Sequence, residues 1–340
     1  MAFSSGMLDC PVRGTMFFVR SPNRPASGGI LAYRFEQEDS SVAAGIRRIA
    51  LQQIDGAIRE INRPADDRDA VIHDLRKRCK KLRGLVRLVR PVFDGYADEN
   101  KAFRDAARAL SVARDAEVLR QTYDLLAGIY KRQIDRPALA TVRRRLTFRR
   151  QEAMRDEDID ERLKAFRGAV IEARKRCQTW RLDADDFDAL SGGLGKTYKR
   201  ARKAMIRARA DGTAEAFHDW RKRVKYHWYH ARLLSPIWPE PIKAHRKIAH
   251  DLGDMLGEYH DLAEFYRILG ADPEAYGASK DVEALCGLAR ERQAVLEARA
   301  FLLGERLLAE STGALVGRWA TYWNLWREEE KNARASSDAA

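Results

Sequence analysis

The sequence predicts an all-α protein built from two similar halves. Amphipathic runs with helical spacing fill most of the chain, and prolines fall between these runs, as expected of a residue excluded from helix interiors. No convincing alternating strand and no Asn-Gly hairpin turn interrupts them. An eight-residue segment also occurs twice. Together these three observations favour a repeated bundle of helices.

The prolines divide the predicted helices in chain order. Pro64 separates the first two helices, Pro91 follows the second, and Pro137 opens the fourth. In the second half, the prolines between 236 and 241 separate two helices, and Pro273 follows the longer of them. The predicted helices span 39–62, 67–90, 97–128, 137–150, 155–179, 186–210, 213–234, 240–269, 279–302 and 304–331.

The predicted domain spans residues 38–332, with halves at 38–180 and 184–332. Residues 1–37 contain SPNRPASGG and little periodicity, which predicts a flexible leader, and residues 333–340 are predicted to be a disordered tail. We find no secretory signal pattern and no apolar run of about 18 residues, so we expect a cytoplasmic protein that does not enter a membrane. The four cysteines form no CxxC pair, which argues against disulfides and structural zinc.

The repeated segment reads HDLRKRCK at 73–80 and HDWRKRVK at 218–225. Forty-two residues after His73 lies Asp115, in LSVARDAEVL, and forty-three residues after His218 lies Asp261, in LGEYHDLAEF. Each half is therefore predicted to contain a basic helix with the histidine at the start of the repeated segment. A second helix follows and ends in a polar residue and an aspartate, before an apolar turn. A repeat of this length predicts two up-and-down bundles of about four long helices each.

The basic residues of each copy form a stripe along one edge of the apolar face. At about 100° per residue, the first stripe covers roughly 80° of the helix surface beside the apolar residues. Its members after His73 are Arg76, Lys80, Arg83, Arg87 and Arg90. The second stripe keeps His218, Arg221, Lys225 and Arg232, but Trp228 and Ser235 replace two cations. Stacked like charges destabilise an isolated helix, so a stripe kept twice indicates an anionic partner.

The overall charge supports the same class of partner. The chain has 63 Lys and Arg against 50 Asp and Glu, a net charge of +13, and its pI is about 9.7. An excess of this size favours a polyanion such as nucleic acid, an anionic membrane or polymeric phosphate.

The two HxxRxxxK copies, together with ARDAEVL, EYHDLAEF and YKRARKA at 198–204, resemble the CHAD family, the conserved histidine α-helical domain. The resemblance covers about residues 38–332. It implies two four-helix bundles related by a pseudo-twofold axis, with the basic helices lining a central pore or groove. It also implies non-enzymatic binding of inorganic polyphosphate, without a cofactor, and an association with polyphosphate granules like that of the phosins.

Carried over by position, the resemblance implies a set of polyphosphate-binding residues. In the first half they are His73, Arg76, Lys80, Arg83, Arg87, Lys101 and Arg114. In the second half they are Tyr198, Arg202, His218, Arg221, Lys225, Arg232 and Lys247. His260 stands where the first half has Arg114, so a contact at that position stays open. We expect His73 and His218 to become protonated readily beside a polyanion.

Three other functions fit parts of the sequence. Nucleic acid fits the charge, although no base-reading motif is present, so we expect it to bind only non-specifically through the same basic surface. A metal or phosphate site at the histidines lacks an HExxH motif or paired acidic ligands. A phosphoryl-transfer enzyme lacks a phosphate loop, because GGLGKTY at 192–198 has the wrong spacing and is predicted to be a helix start.

The tryptophans are predicted to lie in the core. Trp220 falls on the apolar face of its helix, and Trp319, Tyr322, Trp323 and Trp326 form a stripe at helical spacing. Docking of that stripe to a granule protein is the alternative interpretation.

Overall fold

The computed structural model describes residues 33–63, 68–110, 112–133, 137, 139–154 and 158–338. Within these ranges the chain is all-α, as predicted, with eleven α-helices, one short 3-10 helix and no strand. The α-helices are α1 Val42–Ile61, α2 Arg68–Leu88, α3 Tyr96–Ala109, α4 Val112–Ile129, α5 Ala140–Met154, α6 Asp158–Cys177, α7 Asp188–Asp211, α8 Ala214–Leu233, α9 Pro239–Ala271, α10 Ser279–Leu307 and α11 Thr312–Asp338. The two basic helices of the repeat are α2 and α8.

The predicted helix at 97–128 is two helices in the structure, α3 and α4. Arg76 Nη1 donates a hydrogen bond to the carbonyl oxygen of Ala107, at 2.5 Å, in the last turn of α3. A cation there satisfies a carbonyl that the helix leaves unpaired. The matching stretch of the second half continues unbroken as the 33-residue α9. His260–Asp261 therefore lies inside a helix, and the predicted turn after it is wrong.

The packed part of the chain includes residues assigned to the predicted leader. Tyr33 and Phe35 are each 1% exposed, and the Phe35 amide donates to the carbonyl oxygen of Leu233 at 3.0 Å. Residues 1–32 lie outside the described part of the chain. At the other end, α11 continues to Asp338, beyond the predicted domain end at residue 332.

The main hydrophobic core draws on both halves. It is built by α1, α2, α3 and α6 of the first half and by α7, α8, α11 and parts of α9 and α10 of the second. Leu85 of α2, Trp220 of α8 and Trp319 of α11 are each 0% exposed in it. One core shared by the two halves fixes their relative position, because separating them would expose this apolar surface to water.

A second core joins the outer ends of the two halves. Here α4 and α5 pack with the C-terminal half of α9 and the N-terminal half of α10. Leu126 of α4, Phe265 of α9 and Leu285 of α10 are each 0% exposed. The halves therefore hold each other at two places.

The two basic helices cross at equivalent positions of the repeat. Gly84 and Tyr229 each lie 11 residues after the histidine that opens their copy. A β-carbon placed on Gly84 would be 2.9 Å from Tyr229 Cβ, so the close approach of α2 and α8 requires glycine here. The Nε2 atom of the buried His230 lies 3.1 Å from the Gly84 carbonyl oxygen. Contact between equivalent positions is what a twofold relation between the halves produces.

Helix α7 also lies against the end of α2. A β-carbon on Gly193 would overlap the carbonyl group of Leu88 and lie 2.7 Å from the Arg87 carbonyl oxygen. The segment GGLGKTY at 192–198 lies inside α7, which begins at Asp188. Its glycines therefore permit helix packing, and the structure has no phosphate loop at this segment.

Candidate polyanion-binding site at the crossing of α2 and α8

Arg87 is the centre of a group of cations on one side of the crossing. Its guanidinium lies 4.0 Å from the centre of the Tyr226 ring of α8 and donates to Asn100 of α3 and to the carbonyl oxygen of Arg83. Arg83 Nε donates to the same Asn100 side chain at 3.2 Å. Arg87 is 9% exposed, so it is a largely desolvated cation held by neutral partners.

Further arginines surround it. We call Arg83, Arg87, Arg90, Arg200 and Arg223 the first cationic cluster. Burial, followed by the charge of Arg200, lowers the pKa of Arg90 to about 10. Burial also lowers the pKa of Arg87, and the charges of Arg83 and Arg223 act in the same direction. Among the described residues, no carboxylate lies within ion-pair distance of Arg83, Arg87 or Arg90. A buried cation without a counter-ion destabilises the fold, and a bound anionic ligand would compensate its charge.

The second cationic cluster consists of Lys81, Arg232 and Arg246. Arg232 lies 5.9 Å from the centre of the Tyr33 ring and 5.9 Å from that of the Trp228 ring. Lys81 lies 5.6 Å from the centre of the same Tyr33 ring, and its Nζ donates to Gln53 at 3.2 Å. Burial, and then the charge of Arg232, lowers the pKa of Lys81 to about 7. A bound polyanion would raise that pKa and draw a proton onto this amine.

The two clusters occupy equivalent positions of the repeat. Arg87 and Arg232 each lie 14 residues after the opening histidine, and their partners Tyr226 and Lys81 each lie 8 residues after it. Each arginine thus approaches the residue that lies eight residues after the opening histidine of the other half. The predicted stripes are therefore brought together across the crossing, with one cluster formed around each equivalent arginine.

Other members of the predicted stripes are held by the protein itself. Arg76 caps α3 through Ala107, and Lys225 Nζ lies 2.6 Å from Asp254 of α9. Arg221 is half-buried, and its Nε atom would lie 3.2 Å from a β-carbon on Gly257.

The two histidines that open the copies differ in their surroundings. His73 is exposed, whereas His218 is half-buried with its ring centre 4.3 Å from that of His260. Burial, followed by the charges of His260, Lys222 and Arg221, lowers the pKa of His218 to about 4. Burial and the neighbouring cations thus oppose protonation of His218 in the protein without a ligand, and its protonation beside a polyanion stays a prediction.

Tyr198 does not lie at the cationic surface. It is 0% exposed, and its hydroxyl donates to the carbonyl oxygens of Leu307 and Glu310 at 3.3 and 3.2 Å. Burial raises its pKa to about 12. Its predicted role as a ligand contact is corrected to a structural one, because its hydroxyl links α7 to α10 and to the residues that follow it.

Three further predicted residues lie on helices other than α2 and α8. Lys101 is exposed on α3 and Arg202 is half-buried on α7. Lys247 is exposed on α9, with its Nζ 2.6 Å from Asp251. The side chain of Arg114 lies outside the described part of the chain.

Sequence reasoning missed the residues that complete the two clusters. Lys81, Arg223 and Tyr226 lie off the predicted stripe, and Tyr33 lies in the predicted leader. The repeat held one usable signal, because the second arginine of each copy, Arg78 or Arg223, is identical between the two. A single helical wheel does not indicate that the residue eight positions after one histidine meets the arginine fourteen positions after the other.

Histidines of α8 and α9 form a separate group inside the protein. His227 Nε2 lies 2.7 Å from His245 Nε2, and Trp319 packs against both rings. His227 and His230 are each 0% exposed. In the described part of the chain, no set of three His, Cys, Asp or Glu side chains could hold a metal ion.

These histidines predict a loss of stability in mild acid. Burial lowers the pKa of His230 to about 3 and of His245 to about 4, and it lowers that of His227 strongly. The unfolded chain binds protons below about pH 6.5 and the folded chain does not, so the free energy of unfolding falls as the pH decreases. From pH 6.5 to 5.5 we expect a loss of about 1 kcal/mol for each histidine.

Urea unfolding at pH 7.5, 6.5 and 5.5 measures this loss, in a range above the usual carboxylate pKa values. His245→Asn keeps a polar partner for His227 but removes one titrating group, and should make the pH dependence shallower. A free energy of unfolding that is constant over this range would contradict the expectation.

The predicted core positions are confirmed for Trp220, Trp319, Trp323 and Trp326. Trp220 and Trp319 are 0% exposed, and Trp323 and Trp326 are 3% and 7% exposed. Trp238 is 48% exposed and stacks edge-on against Tyr322 at 4.6 Å between ring centres. Trp220, Trp319, Trp323 and Trp326 therefore have no face available for stacking on a base.

Comparison with protein families shows to which family the chain belongs. A family model described as the CHAD domain matches residues 48–269 of the chain. The chain belongs to the CHAD domain family. The matched region contains both basic helices, their crossing and both cationic clusters. A search of curated proteins finds no match to the chain. Among the described residues, no helix is both long and apolar enough to cross a membrane.

Proposed function

We propose that this CHAD protein binds inorganic polyphosphate without catalysing its turnover, and that it does so in the cytoplasm at polyphosphate granules. The observation that carries the proposal is the pair Arg87 and Arg232. These arginines occupy equivalent positions, lie against aromatic rings, and have no carboxylate partner among the described residues. Membership of the CHAD family supports the same ligand.

Polyphosphate suits this arrangement because it carries about one negative charge on each phosphate. A flexible chain can meet one cluster and then the other, and each guanidinium can form charge-assisted hydrogen bonds to phosphate oxygens. Affinity then comes from several salt-sensitive contacts and not from one enclosed pocket. A pore or groove between the halves, implied by the resemblance to the family, would align these contacts along one path.

Phosphoryl transfer would need carboxylates that hold a metal ion, and among the described residues no set of three His, Cys, Asp or Glu side chains could hold one. Glu99 is 4% exposed and accepts hydrogen bonds from Arg176 at 2.7 and 3.0 Å, so it is part of a structural ion pair. Binding without catalysis is the simpler proposal for two clusters that are built from cations.

Titration with long-chain polyphosphate at about 150 mM salt tests the proposal, because this ionic strength screens weak surface attraction. Double-stranded DNA, single-stranded RNA and ATP serve as competitors. We expect tight binding that nucleic acid does not displace at equal phosphate concentration. Equal displacement by RNA or DNA would instead favour non-specific nucleic-acid binding through the same surface.

A further inference from the structure

Asp254 of α9 occupies a position among the cations of the second copy. Its Oδ1 lies 2.6 Å from Lys225 Nζ, and its Oδ2 lies 2.7 Å from His250 Nδ1. The Asp254 side chain is 47% exposed and that of Lys225 is 24% exposed. The carboxylate is thus nearer to solvent than the ammonium that it pairs with.

The Asp254 carboxylate contacts Lys225 and His250 in the way that a bound phosphate would. Two oxygens of one anion accept hydrogen bonds from an ammonium and an imidazole, as two oxygens of a phosphate would. Burial by itself would raise the pKa of Asp254, but the hydrogen bonds from His250 and Lys225 lower it to about 2. The carboxylate is therefore charged at any pH at which polyphosphate binding would be measured.

The site is continuous with the second cationic cluster. Lys225 Nζ lies 5.2 Å from the centre of the Trp228 ring, and Arg232 lies 5.9 Å from the same centre. His250 packs edge-on against that ring at 5.2 Å. A polymer that reaches Arg232 along α8 would thus meet Lys225 and its carboxylate next.

The first half has a different residue at the matching position. When Asp115 is aligned with Asp261, Asp254 corresponds to Arg108 and His250 to Arg104, while Lys225 corresponds to Lys80. The two copies share the lysine, but only the second has a carboxylate seven residues before the shared aspartate. The matching position thus carries a cation in the first half and an anion in the second.

We propose that Asp254 is an internal anion that competes with polyphosphate for Lys225 and so limits how strongly the second half holds the polymer. This inference rests on the proposed function. The second half then binds fully only when the polymer displaces the carboxylate from Lys225.

Asp254→Asn tests the inference, because asparagine keeps the shape and an acceptor but removes the charge. We expect the dissociation constant for long-chain polyphosphate to fall about tenfold, since a charge-assisted hydrogen bond no longer has to be broken on binding. Asp211→Asn is the matched control. It makes the same change on α7, where Asp211 pairs with Arg207 at 2.9 Å, and should alter affinity by less than about twofold.

Two further measurements separate a local effect from a change in net charge. The slope of log affinity against log salt should steepen by roughly 0.7 in Asp254→Asn, the value for one additional phosphate contact on a flexible chain. Lys225→Gln in the Asp254→Asn background should remove the gain, and circular dichroism should show the helical content unchanged in each variant.

The outcomes distinguish the two proposals. If the parent protein binds polyphosphate but Asp254→Asn binds no better than Asp211→Asn, the inference is wrong and the proposed function stands. If neither the parent nor Asp254→Asn binds polyphosphate at about 150 mM salt, the proposed function is wrong, and the inference falls with it.

Discussion

Replacing both Arg87 and Arg232 by methionine is expected to weaken polyphosphate binding about 100-fold. Each arginine supplies one charge-assisted contact worth roughly 1.5 kcal/mol or more, and about 1.4 kcal/mol corresponds to a factor of ten in affinity. The salt dependence should become shallower by roughly 1.4 in its logarithmic slope, the value for two lost phosphate contacts. Isothermal titration at several salt concentrations measures both quantities.

The same double variant is expected to be as stable as the parent or more stable. Arg87 is buried and Arg232 is half-buried; each lies beside an aromatic ring, and neither has a carboxylate partner among the described residues. Replacing an uncompensated buried cation by an apolar side chain of similar length is commonly neutral or stabilising. A binding loss accompanied by a large loss of stability would therefore contradict our interpretation, since it would show that these arginines support the fold.

Arg267→Met is the control for charge alone. Arg267 is exposed on α9 and pairs with Glu264 at 2.7 Å. Its removal lowers the net charge by one without touching either cluster. If Arg267→Met lowers the affinity as much as Arg87→Met does by itself, the ligand responds to overall charge and the clusters are not the site.

Gly193→Ala is expected to destabilise the protein by about 3 kcal/mol or more. Its new methyl group would overlap the Leu88 carbonyl group at the end of α2, and backbone cannot rotate away as a side chain can. Helix propensity by itself predicts the opposite sign, because alanine is favoured over glycine within a helix by about 1 kcal/mol. The free energy of unfolding in urea thus tests whether α7 truly lies against α2.

Gly287→Ala provides the matched comparison. Gly287 is exposed inside α10, and a β-carbon there meets nothing within 4 Å. We expect this variant to be stabilised by roughly 0.5–1 kcal/mol. If both glycine variants are stabilised alike, the close contact between α7 and α2 does not exist in solution. The arrangement of Arg90 and Arg200 around it would then need revision.

Much of the fold could be predicted because the spacing of apolar residues within a helix shows which of its faces is buried. The prolines and the apolar spacing placed most helix ends close to where they are, as in the predicted 213–234 against the observed α8. The break between α3 and α4 could not be predicted in this way. It coincides with a cation from α2, Arg76, that caps a carbonyl of α3, and a distant contact of this kind leaves no local pattern.

The candidate site was predictable only in part. The stripes singled out Arg87 and Arg232, which the structure places in the two cationic clusters. Their contact with polyphosphate stays a prediction. The stripes also singled out Arg76, which caps α3, and Lys225, which is paired with Asp254. Tyr198 was taken from the family pattern, and its burial shows that a residue can belong to that pattern for structural reasons.

The helical class, the repeat and the excess of cations along α2 and α8 are properties of the amino-acid sequence alone. They follow from residue type and spacing, which act over a few turns of one helix. Which cations meet depends on how distant helices pack. Arg87 lies against Tyr226, and Arg232 lies near Lys81, because Gly84 lets the two basic helices cross at equivalent positions. Spacing fixes the face on which a side chain lies, whereas packing between distant helices fixes what that face meets.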